Sequence, residues 1–175
     1  VGPDLGKDSI DAGVFSLIIG FILVIIFMFI KYRIFGLVSN ISLIANLFMM
    51  IGILTILEAT LTLPGIAGII LTVGMAVDSN VLIYERIKEE LKTEKSIIHA
   101  FDTGYNKAKI TVIDANVTTL IAAVILFIFG SGPVKGFAVT LGIGIVTTLF
   151  SAYFIARHLT SVIVLNDKNR KYSKL

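Results

Sequence analysis

Residues 63–91 read LPGIAGIILTVGMAVDSNVLIYERIKEEL, and this stretch decides the fold. From Leu63 to about Tyr84 only Asp78 carries a formal charge, and from Glu85 onward charges crowd in. A run of about 20 apolar residues matches the hydrocarbon thickness of a bilayer. Four further stretches of the same kind flank it, at 12–30, 38–57, 110–129 and 134–156. Backbone amides in hydrocarbon must pair within their own segment or in a closed barrel, and these runs lack the alternation of barrel strands. The reading is an all-α membrane protein of five transmembrane helices.

Composition agrees. Mean hydropathy is +0.95, and charged residues make up 15% of the 175 residues, against about 25% in soluble domains. No sizeable water-soluble domain fits beside five spans. Cysteine is absent, which excludes disulfides, thiolate nucleophiles and cysteine zinc sites. His99 and His158 have no ligand partners at metal-binding spacing, and no nucleotide-binding loop is present; Gly130-Ser131-Gly132-Pro133 reads as a tight turn. No metal and no cofactor is expected.

The cations set the topology. Lys31 and Arg33 follow the first span, six Lys and Arg lie between Arg86 and Lys109, and Arg157, Lys168, Arg170, Lys171 and Lys174 follow the last, so thirteen of fifteen share one side. Only Lys7 and Lys135 fall on the other. The basic side is cytoplasmic by the positive-inside rule, which puts the N-terminus outside and the C-terminus inside. The cations then read as topology signals and contacts to the lipid bilayer, with no nucleic-acid partner. The expected organisation is a periplasmic lead-in at 1–11, a transmembrane bundle at 12–158 and a basic cytoplasmic tail at 159–175. An outside start with no signal peptide leads us to expect an upstream span, and with it an exported domain, in the full protein.

Residues 86–109 keep Ile87, Leu91, Ile97, Ile98 and Phe101 at helical spacing. They are expected to form an amphipathic cytoplasmic connector on the membrane surface, broken near Lys95 and Gly104, with Ser96 as an N-cap. A solvated connector and a partner-binding surface both fit.

Two carboxylates interrupt the spans, Asp78 and Asp114. An ionised carboxylate at membrane depth costs at least about 2.5 kcal/mol, so such residues usually mark a pathway. The alternative is an interhelical hydrogen-bonding role near the interface. Asp78-Ser79-Asn80-Val81 echoes Asp114-Ala115-Asn116-Val117, with Thr118 and Thr119 following. By helical rise the acids lie about 12 and 8 Å from the cytoplasmic boundary, so Asp78, Asp114, Asn80, Asn116, Thr118 and Thr119 are expected to share one polar layer. Burial would raise a carboxylate's pKa, and a basic neighbour would lower it. Apart from Lys135, at the outer end of the last span, no Lys or Arg lies inside a span, so a cationic partner for Asp78 must come from another subunit. Gly65, Gly68 and Gly74, with Gly136, Gly142 and Gly144 in the last span, are expected to permit close helix packing.

Three motifs carry a resemblance over nearly the whole chain: the 63–91 stretch itself, Asp114-Ala115-Asn116-Val117-Thr118-Thr119-Leu120, and Gly132-Pro133-Val134-Lys135-Gly136-Phe137-Ala138. The entry Val1-Gly2-Pro3, with Leu5-Gly6 and Asp8-Ser9-Ile10, fits as well. The chain resembles the C-terminal membrane region of the SecD/SecF protein-export family, within the resistance-nodulation-division (RND) superfamily; Ser79 departs conservatively from the family's Ala. The resemblance implies helices two to six of a six-helix half in a pseudo-symmetric bundle of twelve, the other half coming from SecF. It implies a non-enzymatic subunit of the bacterial inner membrane that uses the proton motive force, after SecA has acted, to draw preprotein outward from SecYEG. YajC and YidC are further implied partners, and the preprotein is met mainly by an exported domain outside this stretch. Asp78 falls on the family's proton-coupling carboxylate, Asp114 on a second characteristic motif. The rival readings are a proton-driven RND-type exporter of lipids or hydrophobic molecules, and a passive scaffold of the Sec channel.

Overall fold

The structure, a computed structural model, describes residues 3–93 and 96–166. It is all-helical there, with no strand among the described residues. Helix α1 runs Pro3–Ile56, α2 Leu63–Thr93, α3 Ile97–Phe129 and α4 Pro133–Phe150, and α4 continues through a π-helical segment, Ser151–Ala156, into α5, Arg157–Asn166. Four helices are long and apolar enough to cross a membrane, α4, the π segment and α5 together making the fourth.

Four helices where five spans are expected reflects α1. Its 54 residues would be about 80 Å long if straight, well over twice the ~30 Å hydrocarbon layer. The run is instead broken at Arg33 (φ 50, ψ −113). Beyond the break the chain doubles back: Asn40 Nδ2 donates to the Ile25 carbonyl at 3.1 Å, and a Cβ on Gly36 would collide with the Met28 carbonyl. The stretches 12–30 and 38–57 therefore occupy the two antiparallel arms of one helical hairpin. The first arm also begins at Pro3, so the expected lead-in 1–11 is helical wherever it is described.

Each remaining break has a local cause. Past Ile56 the chain leaves the helix at Glu58, whose φ of 50° is left-handed. Thr62 caps α2, its Oγ1 accepting from the Gly65 N–H at 3.1 Å, with Pro64 in the first turn, where a missing N–H costs nothing. Ser96 does stand at the N-cap of α3, in extended conformation but without a side-chain capping bond. Between α3 and α4, Gly132 has φ 49 and Pro133 opens the next helix, which is the tight turn expected there.

The connector differs from expectation. Lys95 lies outside the described residues, but Gly104 breaks nothing: it is buried within α3, where a Cβ would stand 2.8 Å from the Ile87 Cα. The helices α2 and α3 thus extend past their apolar stretches as one packed hairpin. The main core sits at this end, where Met28, Tyr32 and Phe35 at the tip of the α1 hairpin meet Tyr84 and Ile87 of α2 and Phe101 and Tyr105 of α3. Glu90, buried, accepts from Lys107 Nζ at 2.9 and 3.0 Å and ties the two helices together. Helix α5, Arg157–Asn166, runs on into the expected basic tail at 159–175; Lys168, Arg170, Lys171 and Lys174 lie outside the described residues.

Gly104→Val should be costly, because backbone rather than a flexible side chain blocks the added Cβ. The expected loss is about 1–3 kcal/mol, to be read as a lower unfolding temperature in detergent beside a Gly74→Ala control, which should not lower it.

Candidate functional site

Helix α2 is the axis of the molecule, in contact with α4, α3 and α1. Its approach to α4 depends on residues without bulk. A Cβ on Gly68 would collide with Thr140 Oγ1, one on Gly136 with Thr62, and one on Gly144 would lie 2.9 Å from the Thr72 Cβ. Gly65 sits in the same seam, 3.5 Å from Thr140 Cγ2 by the same measure. Gly74 and Gly142 take no part in it: a Cβ on Gly74 would meet nothing within 4 Å, and one on Gly142 only Leu120 Cδ1 at 3.9 Å.

Polar side chains bridge the helices beside this seam. Asn80 Nδ2 donates to Ser39 Oγ at 2.9 Å, linking α2 to the second arm of α1. Asn116 Nδ2 donates to the Val112 carbonyl at 2.8 Å and makes a long 3.5 Å contact with Ser79 Oγ, linking α3 to α2. Asn46 Nδ2 donates to Thr148 Oγ1 at 3.1 Å, and Ser42 Oγ to the Ser151 carbonyl at 3.0 Å, joining α1 to the last helix where its π segment begins. The layer is buried throughout. In it Asn40, Asn46, Asn80 and Asn116 each leave Oδ1 as an acceptor with no protein donor among the described residues.

The carboxylates face elsewhere. Asp78 and Asp114 are both exposed, while Asn80 and Asn116, two residues on, are both buried. Two residues advance a helix by about 200°, so in each motif the amide points inward and the acid outward. The expected single layer therefore divides: the two amides enter it and the two acids do not. Thr118 and Thr119 also stay outside, their hydroxyls donating to the Asp114 and Ala115 carbonyls of their own helix at 2.8 and 3.1 Å. Asp78 belongs instead to an uncovered stripe of α2 with Ala67, Leu71, Gly74 and Leu82. Among the described residues, no ion pair reaches either acid.

Sequence reading missed Ser39, Asn40, Ser42 and Asn46. Their signal was present, since Ser39, Ser42 and Asn46 fall at i, i+3 and i+7 on one helical face, but they lie in a span whose mean apolarity hides them. Thr72, Thr140, Thr147, Thr148 and Ser151 were passed over likewise, all buried. Among the described residues no cluster of His, Asp and Glu could hold a metal ion.

Comparison with known proteins places this geometry. The family described as "Protein export membrane protein SecD/SecF, C-terminal" matches residues 1–166. The chain is 50% identical over its whole length to the protein translocase subunit SecD of Magnetococcus marinus, and 53% to that of Rickettsia prowazekii. It spans 33% and 34% of those two proteins, about a third of each. Among solved structures, the crystal structure of SecDF, a translocon-associated membrane protein from Thermus thermophilus, superposes with a TM-score of 0.93 at 43% identity, over 97% of this chain and 24% of that one. This multi-pass membrane chain, with its amides turned in and its acids turned out, belongs to the SecD/SecF protein-export family.

Proposed function

We propose that this chain is the membrane half of a SecD-type translocase subunit, and that Asp78 couples ion movement to the export of preprotein. One observation carries the reading: Asp78 stands on an uncovered stripe of α2 at membrane depth. Lipid is a poor neighbour for a carboxylate, at a cost of at least about 2.5 kcal/mol. The Ala67 and Gly74 positions on the same stripe leave room for a second helix to approach closely. A second six-helix half, supplied by SecF, would cover the stripe and bring a basic partner, which this chain does not place beside Asp78.

In that arrangement the two arms of α1 each cross the inner membrane. With α2, α3 and the last helix they make five crossings, the connector end cytoplasmic and the start of α1 periplasmic. Each proton crossing a potential of 100 mV releases about 2.3 kcal/mol. Work is extracted if Asp78 is protonated in one arrangement of the two halves and ionised against its basic partner in the other. Asp114, on the exposed face of α3, is the second candidate on the route. SecYEG, with YajC and YidC beside it, supplies the channel. The stretch spans about a third of its SecD relatives, and the moving part that grips preprotein is assigned to the kind of region those relatives carry beyond it.

The test uses the full-length protein in cells depleted of their own copy. Asp78→Asn should slow preprotein maturation about tenfold or more while membrane level and co-purification with SecF stay unchanged. Normal maturation would reduce Asp78 to helix packing and support the scaffold reading. The buried layer behaves differently: a Ser39→Ala, Asn80→Leu double-mutant cycle should show a coupling of about 0.6 kcal/mol, up to ~1.7, in unfolding free energy.

A further inference from the structure

Five buried polar atoms without a hydrogen-bonding partner among the described residues follow one another inward from the connector end of the bundle. They are the hydroxyls of Tyr153, Tyr105 and Tyr84 and the side-chain oxygens of Asn80 and Asn116. Tyr153 opens the series on the wall of a hollow of about 800 Å³, beside Asp102, Arg157 and His158. Its ring centroid lies 6.5 Å from that of Tyr105, and Tyr105 shares one core cluster with Tyr84. Asn80 stands one turn before Tyr84 on the same face of α2, and Asn116 meets Ser79 of α2 at 3.5 Å. The walls of this path are α2, α3 and the last helix, all of this chain.

Tyr32 shows how a buried phenol is ordinarily satisfied. It is 2% exposed and donates to Glu85 Oε1 at 2.8 Å. Tyr84 and Tyr105, each 1% exposed, have no such acceptor among the described residues. Thr160 Oγ1, buried, is their common polar neighbour. It forms a hydrogen bond of ordinary geometry to neither phenol, and it gives its own proton to the Ala156 carbonyl at 2.6 Å. Buried polar atoms in folded proteins are nearly always bonded to protein or to ordered water. Leaving all of this series bare would cost a sum that rivals the whole stability of a domain. A water molecule makes about three hydrogen bonds and joins groups that stand too far apart to bond directly.

We propose that the interior of this chain binds a file of ordered water molecules, entering at the Tyr153 hollow and ending at the asparagine layer. The phenol hydroxyls donate to the waters, and the Asn80 and Asn116 oxygens accept from them. The file stops at the layer, because beyond it Thr72 and Thr140 bond their own helices and the glycine seam leaves no space. Hydration therefore reaches the layer from the connector end. Its use is mechanical: when the helices shift, an amide that loses its partner on a neighbouring helix finds water in its place. The layer then changes partners without stripping a buried polar group. The file does not involve Asp78, which stands on the uncovered side of α2.

The experiment uses the full-length protein with its partner subunit, in lipid nanodiscs, under a brief X-ray pulse that turns water into hydroxyl radicals. Radicals made from bound water oxidise the side chains they touch. Tyr84 and Tyr105 should be oxidised about fivefold or more faster than the comparably buried Tyr32. Thr160→Val keeps the shape of the side chain and removes the hydroxyl shared by the two phenols. It should lower oxidation of Tyr84 about threefold or more and leave that of Tyr153 unchanged. In a thermal scan Tyr105→Phe should lower the unfolding temperature, because it removes bonds to water. Tyr84 and Tyr105 oxidised no faster than Tyr32 would overturn the proposal. So would oxidation of Tyr84 unaffected by Thr160→Val with the fold intact, or a raised unfolding temperature in Tyr105→Phe, which would mean that the hydroxyl stands dry.

Discussion

The close approach of α2 and α4 is the constraint on which the other contacts rest. Between helices in lipid the hydrophobic effect supplies no driving force, because the displaced acyl chains are as apolar as leucine, so association depends on dispersion contacts and on a few interhelical hydrogen bonds. The first requires backbones to come near. Gly68 on one helix and Gly136 and Gly144 on the other meet Thr140, Thr62 and Thr72 with no room for another methyl group. Thr72 and Thr140 suit such a seam because they hide their hydroxyls on their own helices: Thr72 donates to the Gly68 carbonyl at 2.8 Å and Thr140 to that of Phe137 at 2.9 Å. Once α2 and α4 are locked, α1 and α3 can only pack in the flanking clefts. There Asn80 reaches Ser39, and Asn46 reaches Thr148. One face of α2 stays uncovered, and Asp78 is on it.

Much of this was legible in the sequence, for reasons specific to membranes. Span existence follows from hydrocarbon thickness, so five stretches of the right length could be marked without any tertiary knowledge. Lys31 and Arg33 between the first two spans implied a turn there, but the residue at which the backbone leaves helical geometry, Arg33, was not legible, because no Gly or Pro marks it. Facing was harder still. A soluble helix declares its buried side by amphipathicity, whereas the spans in α2 and α4 are apolar nearly all round, so Gly74 could not be told from Gly68, nor Gly142 from Gly144. The exception was available and unused: an acid and an amide two residues apart must diverge by about 200°, which already forbids Asp78 and Asn80 from sharing an interior. The connector misled for a related reason. Charge there suggested a surface segment, but Lys107 is spent on the buried Glu90 and Gly104 on the Ile87 backbone, contacts that exist only when two helices stand side by side.

The π segment shows how a hydrogen-bonded interior and a bent helix belong together. At Ser151–Ala156 the backbone ladder is re-registered, and π-bulges of this kind collect at functional positions. The Ser151 carbonyl takes a proton donor from outside its own helix, Ser42 Oγ at 3.0 Å. One turn earlier Thr148 accepts from Asn46. The second arm of α1 thus docks onto the last helix exactly where that helix departs from α geometry, through residues that hydropathy averages away.

The two sides of the bundle therefore make opposite demands on their surroundings. On the free side of α2 a carboxylate needs charge, hydrogen bonds or a proton, and acyl chains offer none of these. On the far side of α4, from Ala138 to Val146, the wall is apolar until its end, where Lys135 and Glu58 line a polar hollow. The first surface calls for a neighbour with a polar or charged group, whereas the second accepts an apolar one. Exchanging them would leave Asp78 in hydrocarbon, at a cost of at least about 2.5 kcal/mol when ionised. The orientation of the bundle within a larger assembly thus follows from the α2–α4 seam: by fixing which side of α2 is covered from within, the glycines fix which side must be covered from without.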